Sequence, residues 1–352
     1  MIEDQSSIFN NLKKIQNMKA AVFDGHKIAI KEVSKPEPED SQVLIQVKAV
    51  GICGTDIAIV SGYLPTTIPL ILGHEFAGEI VEVGKNVART WLGKRVTSEI
   101  NSNIDFECYY CKRDMFTQCI SRKALGIDIN GAFAEFIAVE SYLIHELPKK
   151  ISYEEATFIE PLAAAYQTFE MMPIEKDDKF VAIFGLGKLG LLLTQVALLK
   201  GLKLIVIDGS DKKLALAKKF GAHYSINRLN VKDIQTEIRE LTKDIGADIV
   251  VDTTGNPDAL KDVVSSCKTR GKVHIKSTHG LETLINFTDI VVREITIYSS
   301  RCGPFDKAIE GLSSGKVKVK GLISKEYALN YIQEAFVSYE KNRDYIKTII
   351  VI

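Results

Sequence analysis

Residues 180–201 read FVAIFGLGKLGLLLTQVALLKG, and the three parts of this stretch decide the fold class. FVAIF is a short continuous apolar run, suited to a strand buried on both faces. Gly185-Leu186-Gly187-Lys188-Leu189-Gly190 follows as a G-x-G-x-x-G turn, and LLLTQVALLKG continues as an apolar helix. A glycine fingerprint alone is a weak signal, but here it has its required context of strand before and helix after. The glycines permit a tight turn and let a pyrophosphate approach the helix N-terminus, where unpaired N–H groups favour an anion. The next apolar run, LKLIVIDGS, ends in Asp208. Its carboxylate suits the hydroxyls of an adenosine ribose and repels a 2′-phosphate, which favours NAD over NADP. The candidate cofactor-binding residues are therefore Gly185, Gly187, Lys188, Leu189, Gly190 and Asp208, with Lys213 nearby. Lys212 reads as a solvated helix face.

The alternation continues downstream. LALAKKFGA is a helix closed by glycine, VKDIQTEIRELTKDIG another helix, and ADIVVDTTG a strand. DALKDVVSSCKTRG reads as a helix carrying Cys267 as a core thiol, and KVHIKSTHG as a strand and glycine loop. Strands alternating with helices predict a doubly wound parallel sheet. His274, inside a strand, reads as a core histidine; His279, on a loop, is a weak substrate-side candidate.

Upstream the pattern changes. From Lys19 to about Glu99 the chain reads as short strands (AAVF, IAIKEV, QVLIQVKAVGI, AGEIVEVG, RVTSEI) between turns, as in a small barrel. Within it, GICGTDIAIVSGYLPTTIPLILGHEFAGEIVEVG spans Gly51 to Gly84. Cys53 offers a soft thiolate and His74 an imidazole, both suited to zinc. Asp56 could orient the histidine from behind. Further on, Cys108, Cys111 and Cys119 stand at C-x2-C-x7-C, with Asp105 three residues ahead. A carboxylate can complete a tetrahedral zinc site. Ser152 with Glu155 reads as a helix cap ahead of an alanine-rich run.

At 352 residues, two domains are expected. The formal net charge is zero, which argues for neither a nucleic-acid nor an anionic-membrane partner. No apolar run is long enough to span a bilayer, and the N-terminal residues lack the apolar centre of a secretory signal. Six cysteines in such a chain suggest metal ligands and buried thiols rather than a disulfide frame, and a cytoplasmic location. Residues 1–17 read as an appendage, either a short docking helix or a loose extension.

G-I-C-G-T-D at 51–56 and the run from Gly73 to Gly84 together resemble the zinc-dependent medium-chain alcohol and polyol dehydrogenases, from Met18 onward. The resemblance implies a GroES-like β-barrel catalytic domain over 18–163 and 305–352, and a Rossmann-type NAD-binding domain over 164–304. It implies a catalytic zinc held by Cys53 and His74. Glu160, in an E-P-L sequence, matches the third ligand of the sorbitol-type polyol branch. Glu75 becomes a supporting carboxylate or exchangeable ligand, and Thr55 the group that takes the alcohol proton. Arg301 matches an arginine that contacts substrate oxygens. Many members carry a cysteine where Asp105 stands, so Asp105, Cys108, Cys111 and Cys119 become a structural zinc site. Relatives form dimers or tetramers through edge strands near ITIYSS. Two features depart from the branch: Ala58 replaces a relay histidine and Ile59 a substrate-contacting tyrosine.

The expected function is hydride transfer from a secondary alcohol, a polyol or sugar, to NAD. Simple alcohols are the near alternative, favoured by Ile57, Ile59 and Leu64. A non-catalytic dinucleotide-binding relative would have no need of Cys53, Thr55, His74 and Glu160 together.

Overall fold

A computed structural model describes residues 16–352. The extension expected over 1–17 therefore falls outside the described residues, except that Asn17 already begins the strand Asn17–Phe23. Contacts divide the chain into two units. The first comprises residues up to Ile159, Val319–Lys341 and Lys347–Ile352; the second comprises Glu160–Lys318 and Asn342–Ile346.

The first unit is built on the strand Gln42–Gly51, which is buried except at the half-buried Gln42, Gln46 and Lys48. One edge pairs antiparallel with Glu75–Val83; the other is shared by Phe136–Glu140 and Lys347–Val351. Arg95–Ser98 and Ile144–Glu146 extend the sheet on one side, and Ile323–Ala328 on the other. A smaller antiparallel sheet, Ile28–Ser34 with Asn17–Phe23 and Leu70–Ile71, packs into the same apolar core. The unit also holds a feature that the strand reading missed, the helix Gly54–Val60. Its signal was Asp56, which accepts the N–H of Cys53 at 2.8 Å and so caps the helix three residues ahead of itself. Ser152 and Glu155 do form the expected capping box, but on a four-residue helix, Tyr153–Ala156. The alanine-rich run is a separate helix, Ile159–Met171.

The second unit contains six parallel strands in the spatial order Tyr224–Asn227, Lys203–Asp208, Phe180–Phe184, Ala247–Asp252, Cys267–Ile275 and Thr296–Ser299. The order reverses at Phe180–Phe184, the doubly wound arrangement with its switch point at the glycine turn. Two expectations change here. Cys267 is a buried thiol but begins a strand, because the preceding helix ends at Ser265. The helix Phe305–Ser313, expected in the first domain, belongs to the second unit. There Lys307 pairs with Glu170 at 2.9 Å, and the Gln195 amide bonds both backbone groups of Lys318.

Helix and strand approach so closely at the switch point that a Cβ on Gly190 would lie 1.9 Å from Gly185 O. That oxygen belongs to the backbone and cannot swing aside. Gly190→Ala is expected to cost about 1–3 kcal/mol by overpacking, read as a lower urea midpoint at unchanged m-value.

Candidate active site

Cys53 and His74 come together because the helix Gly54–Val60 and the strand Glu75–Val83 begin beside one another. Asp56 joins the two ends. Fully buried, it accepts Cys53 N–H at 2.8 Å and Gly73 N–H at 3.3 Å. Its Oδ1 also faces His74 Nδ1 at 3.5 Å, too far to satisfy that buried ring nitrogen. Burial alone would make His74 less basic; the Asp56 carboxylate and Cys53 outweigh it and raise its pKa well above the usual value. The Thr55 hydroxyl lies 3.7 Å from Cys53 Sγ. Donor atoms of Cys53, His74 and Glu75 all lie within 4.8 Å of one another. Thiolate, imidazole and carboxylate at this spacing, with a carboxylate behind the histidine, fit a zinc ion.

Glu75 has a partner that the sequence gave no sign of. Lys347, fully buried on the terminal strand, donates to Glu75 Oε2 and, at 2.8 Å, to Thr157 O. Its ammonium also lies 4.8 Å from the centre of the Phe158 ring. A Cβ on Gly51 would fall 2.2 Å from Lys347 Nζ, so the glycine makes room for the lysine.

The lobe after Asn103 gathers Asp105, Cys108, Cys111 and Cys119, again with donor atoms within 4.8 Å. The cysteines are free thiols, with Cys108 Sγ 3.6 Å from Cys111 Sγ. Asp105 accepts the N–H groups of Cys108 and Glu107 and the Ser121 hydroxyl, which hold its carboxyl well below the usual range. Burial and the neighbouring Cys108, Cys119 and Asp105 push the Cys111 thiol up to about 12. Crowding of four potentially anionic donors is what a bound cation relieves.

In the second unit, the glycine turn and Asp208 meet. Asp208 accepts Leu186 N–H at 2.6 Å and Ser210 N–H at 2.8 Å. Gly187 precedes the helix Lys188–Leu199, and a Cβ there would meet nothing within 4 Å, leaving space at the helix N-terminus. Lys188 and Gly190 are buried within that helix, with Leu189 between them half-buried. Lys213 is half-buried, whereas Lys212 is exposed. The Thr253 hydroxyl ties the switch point together by donating to Phe184 O and Gly185 O at 3.0 and 2.7 Å. This cradle fits a dinucleotide.

Glu160 lies in the first turn of the helix Ile159–Met171 and is the first residue of the second unit. Arg301 is exposed, just beyond the edge strand Thr296–Ser299. His274 is a core histidine, as expected, with Nε2 3.0 Å from Ser300 Oγ. His279 lies on an exposed loop, its Nδ1 accepting Leu281 N–H at 3.1 Å.

A GroES-like barrel that brings a half-buried thiol to a buried imidazole, in one chain with a doubly wound nucleotide sheet, defines a zinc-dependent NAD-linked dehydrogenase. Two family models match the chain, the alcohol dehydrogenase GroES-like domain over residues 39–149 and the zinc-binding dehydrogenase domain over residues 189–314. A sorbitol dehydrogenase of Halalkalibacterium halodurans is 34% identical over 91% of this chain and 95% of its own length. A D-arabitol-phosphate dehydrogenase of Enterococcus avium is 35% identical over 88% and 90%. An alcohol dehydrogenase structure from Escherichia coli CFT073, complexed with NADH, superposes with a TM-score of 0.87 at 26% identity, covering 96% of this chain and 100% of that one. The chain belongs to the zinc-dependent medium-chain alcohol and polyol dehydrogenase family.

Two expectations concern stability. Lys347→Met would leave the Glu75 carboxylate buried without its cation, at a cost of about 3–5 kcal/mol; adding Glu75→Gln should restore part of it, both read by urea unfolding. Burial, and then Lys276, bring the His274 pKa down from 6.5 to about 4. The folded state therefore resists a proton that the unfolded chain accepts. Stability from this residue is complete above pH 6.5 and is lost as pH falls toward 4, by up to about 3 kcal/mol. His274→Gln should flatten the pH–stability curve over that window.

Proposed function

We propose that the chain oxidises a secondary hydroxyl of a polyol or sugar, passing the hydride to NAD. The observation that carries this reading is the half-buried Cys53 beside the buried His74, with Asp56 behind them. Zinc supplies Lewis acidity toward the substrate hydroxyl, and NAD accepts the hydride. Cys53 and His74 hold the metal, with Glu160 as the third ligand. Lys347 keeps the Glu75 carboxylate engaged beside the metal ligands. Thr55 takes the hydroxyl proton, since its oxygen lies within reach of Cys53 Sγ. Arg301 offers a fork of donors to substrate oxygens.

A polar substrate is supported by Glu160 in its E-P-L context and by the sorbitol and arabitol-phosphate relatives. Ala58 and Ile59 stand where the sorbitol-type enzymes have histidine and tyrosine, so the reading stops at the substrate class. Asp105 with Cys108, Cys111 and Cys119 holds a second, structural zinc.

The same reading makes the protein a cytoplasmic homodimer or homotetramer without nucleic-acid or membrane partners. Among the described residues no helix is long and apolar enough to cross a membrane. Thr296–Ser299 ends the six-stranded sheet, and Phe287, Val291, Val292 and Ile297 beside it are exposed apolar residues. An open apolar edge suits pairing with a second copy.

NADH formation, followed at ~340 nm with polyols, their phosphates, aldoses and simple alcohols, tests the reading. Chelator-sensitive turnover of polyols, sugars or their phosphates is expected. Turnover of simple alcohols alone would overturn the substrate class, and no turnover in a zinc- and NAD-loaded protein would overturn the reaction. Elemental analysis should find two zinc ions per chain, falling to one in Asp105→Ala while the catalytic zinc stays.

A further inference from the structure

A buried cation sits at the carboxyl edge of the six-stranded sheet. Lys276 directly follows the strand Cys267–Ile275 and is only 8% exposed. Its N–H donates to Asp252 O at 2.9 Å, which fixes the backbone to the neighbouring strand end. Its Nζ donates to Ser300 O and Ser300 Oγ, both at 2.9 Å. Ser300 in turn follows the edge strand Thr296–Ser299. Lys276 thus clasps the ends of two adjacent strands, and Arg301 is the next residue along.

The sheet order says which part of the cofactor lies here. Asp208 and the glycine turn assign the adenosine half to Phe180–Phe184, Lys203–Asp208 and Tyr224–Asn227. Across the switch point, the nicotinamide half falls to the carboxyl ends of Ala247–Asp252, Cys267–Ile275 and Thr296–Ser299. Lys276 and Ser300 stand at the ends of the last two.

We propose that Lys276 discriminates between the two redox states of the cofactor. Its ammonium weakens NAD+, whose nicotinamide ring is cationic, relative to NADH, whose ring is neutral. Ser300 accepts the ammonium's hydrogen bonds but brings no countercharge. His274, bonded to the same hydroxyl, is neutral near pH 7, because burial and Lys276 bring its pKa down to about 4. Burial also lowers the Lys276 pKa, opposed by the anionic influence of Glu160 and Cys302; at about 8 it leaves the lysine mostly charged at neutral pH. When the alcohol carbon gives its hydride to the ring and the hydroxyl loses its proton, the ring's positive charge is cancelled. The same field then favours reduction of the bound cofactor.

This inference rests on assigning the sheet to NAD, and ADP-ribose, which lacks the nicotinamide, separates the two. Dissociation constants of NAD+, NADH and ADP-ribose would be measured by titration calorimetry for the wild type, Lys276→Met, Lys276→Gln and Lys276→Arg. Glutamine keeps an N–H donor for Ser300, so it decides the matter if the methionine variant does not fold. Both neutral variants should shift the NAD+/NADH affinity ratio about tenfold toward NAD+, the scale on which one unit charge acts in a protein interior. ADP-ribose binding should stay unchanged, and Lys276→Arg should keep the wild-type ratio. An unchanged ratio with normal ADP-ribose binding overturns the proposal. Equal losses for NAD+ and NADH would make Lys276 a prop for Ser300 and overturn it too. A wild-type protein that binds no ADP-ribose would instead overturn the cofactor assignment on which the proposal stands.

Discussion

The ion pair between Glu75 and Lys347 joins positions 272 residues apart, and the first unit depends on it. Both side chains are fully shielded from water. A buried pair of this kind recovers its desolvation cost only when the remaining donors and acceptors are satisfied. Here Thr157 O accepts from the ammonium and the Phe158 ring faces it. Gly51 yields the space, and Lys347–Val351 lies against Gln42–Gly51 with Ile349 opposite Gly51. Hydrophobic residues could fill the same volume at less electrostatic cost. What an ion pair adds is a carboxylate held at one orientation beside Cys53 and His74.

A second constraint acts in the nucleotide sheet. Parallel strands bring their carboxyl ends to one edge, so residues far apart in sequence meet there. Asp208, Thr253, Lys276 and Ser300 each follow or end a different strand. Each also does local structural work: Asp208 holds Leu186, Thr253 ties Gly185, and Lys276 ties Ser300. These four side chains are thus fixed by the backbone around them, which leaves that edge of the sheet little room to reorganise.

Much of this was legible in the sequence where one short segment holds all the information. The turn from Gly185 to Gly190 and the carboxylate of Asp208 are local signals, and they met in the structure. Cys53, Asp56 and His74 were legible as a group because few donor types suit a metal, and the structure brings them together. What escaped was of two kinds. The helix Gly54–Val60 escaped because its seven residues, embedded among strand-like runs, are too short to show a period. Lys347 and the Lys276–Ser300 contact escaped because a lysine or serine in a strand-like run looks solvent-facing until the partner is known. Their partners, Glu75 and the strand ends, are set by sheet order rather than by spacing along the chain. The boundary near residue 305 was misplaced for a similar reason: Phe305–Ser313 is amphipathic, and its pattern does not say which body its apolar face meets.

The interrupted course of the first unit also has a consequence for biosynthesis. Every strand of the six-stranded sheet is made before the chain returns at Val319, so that unit's hydrogen-bonded framework can form while translation continues. The barrel cannot close on the same schedule. Glu75 emerges early, yet the lysine that neutralises it is translated 272 residues later. For most of synthesis the nascent chain carries free thiols and an uncompensated carboxylate in an unfinished sheet. Completion of the first unit's sheet is thereby deferred until the strands of the second already exist.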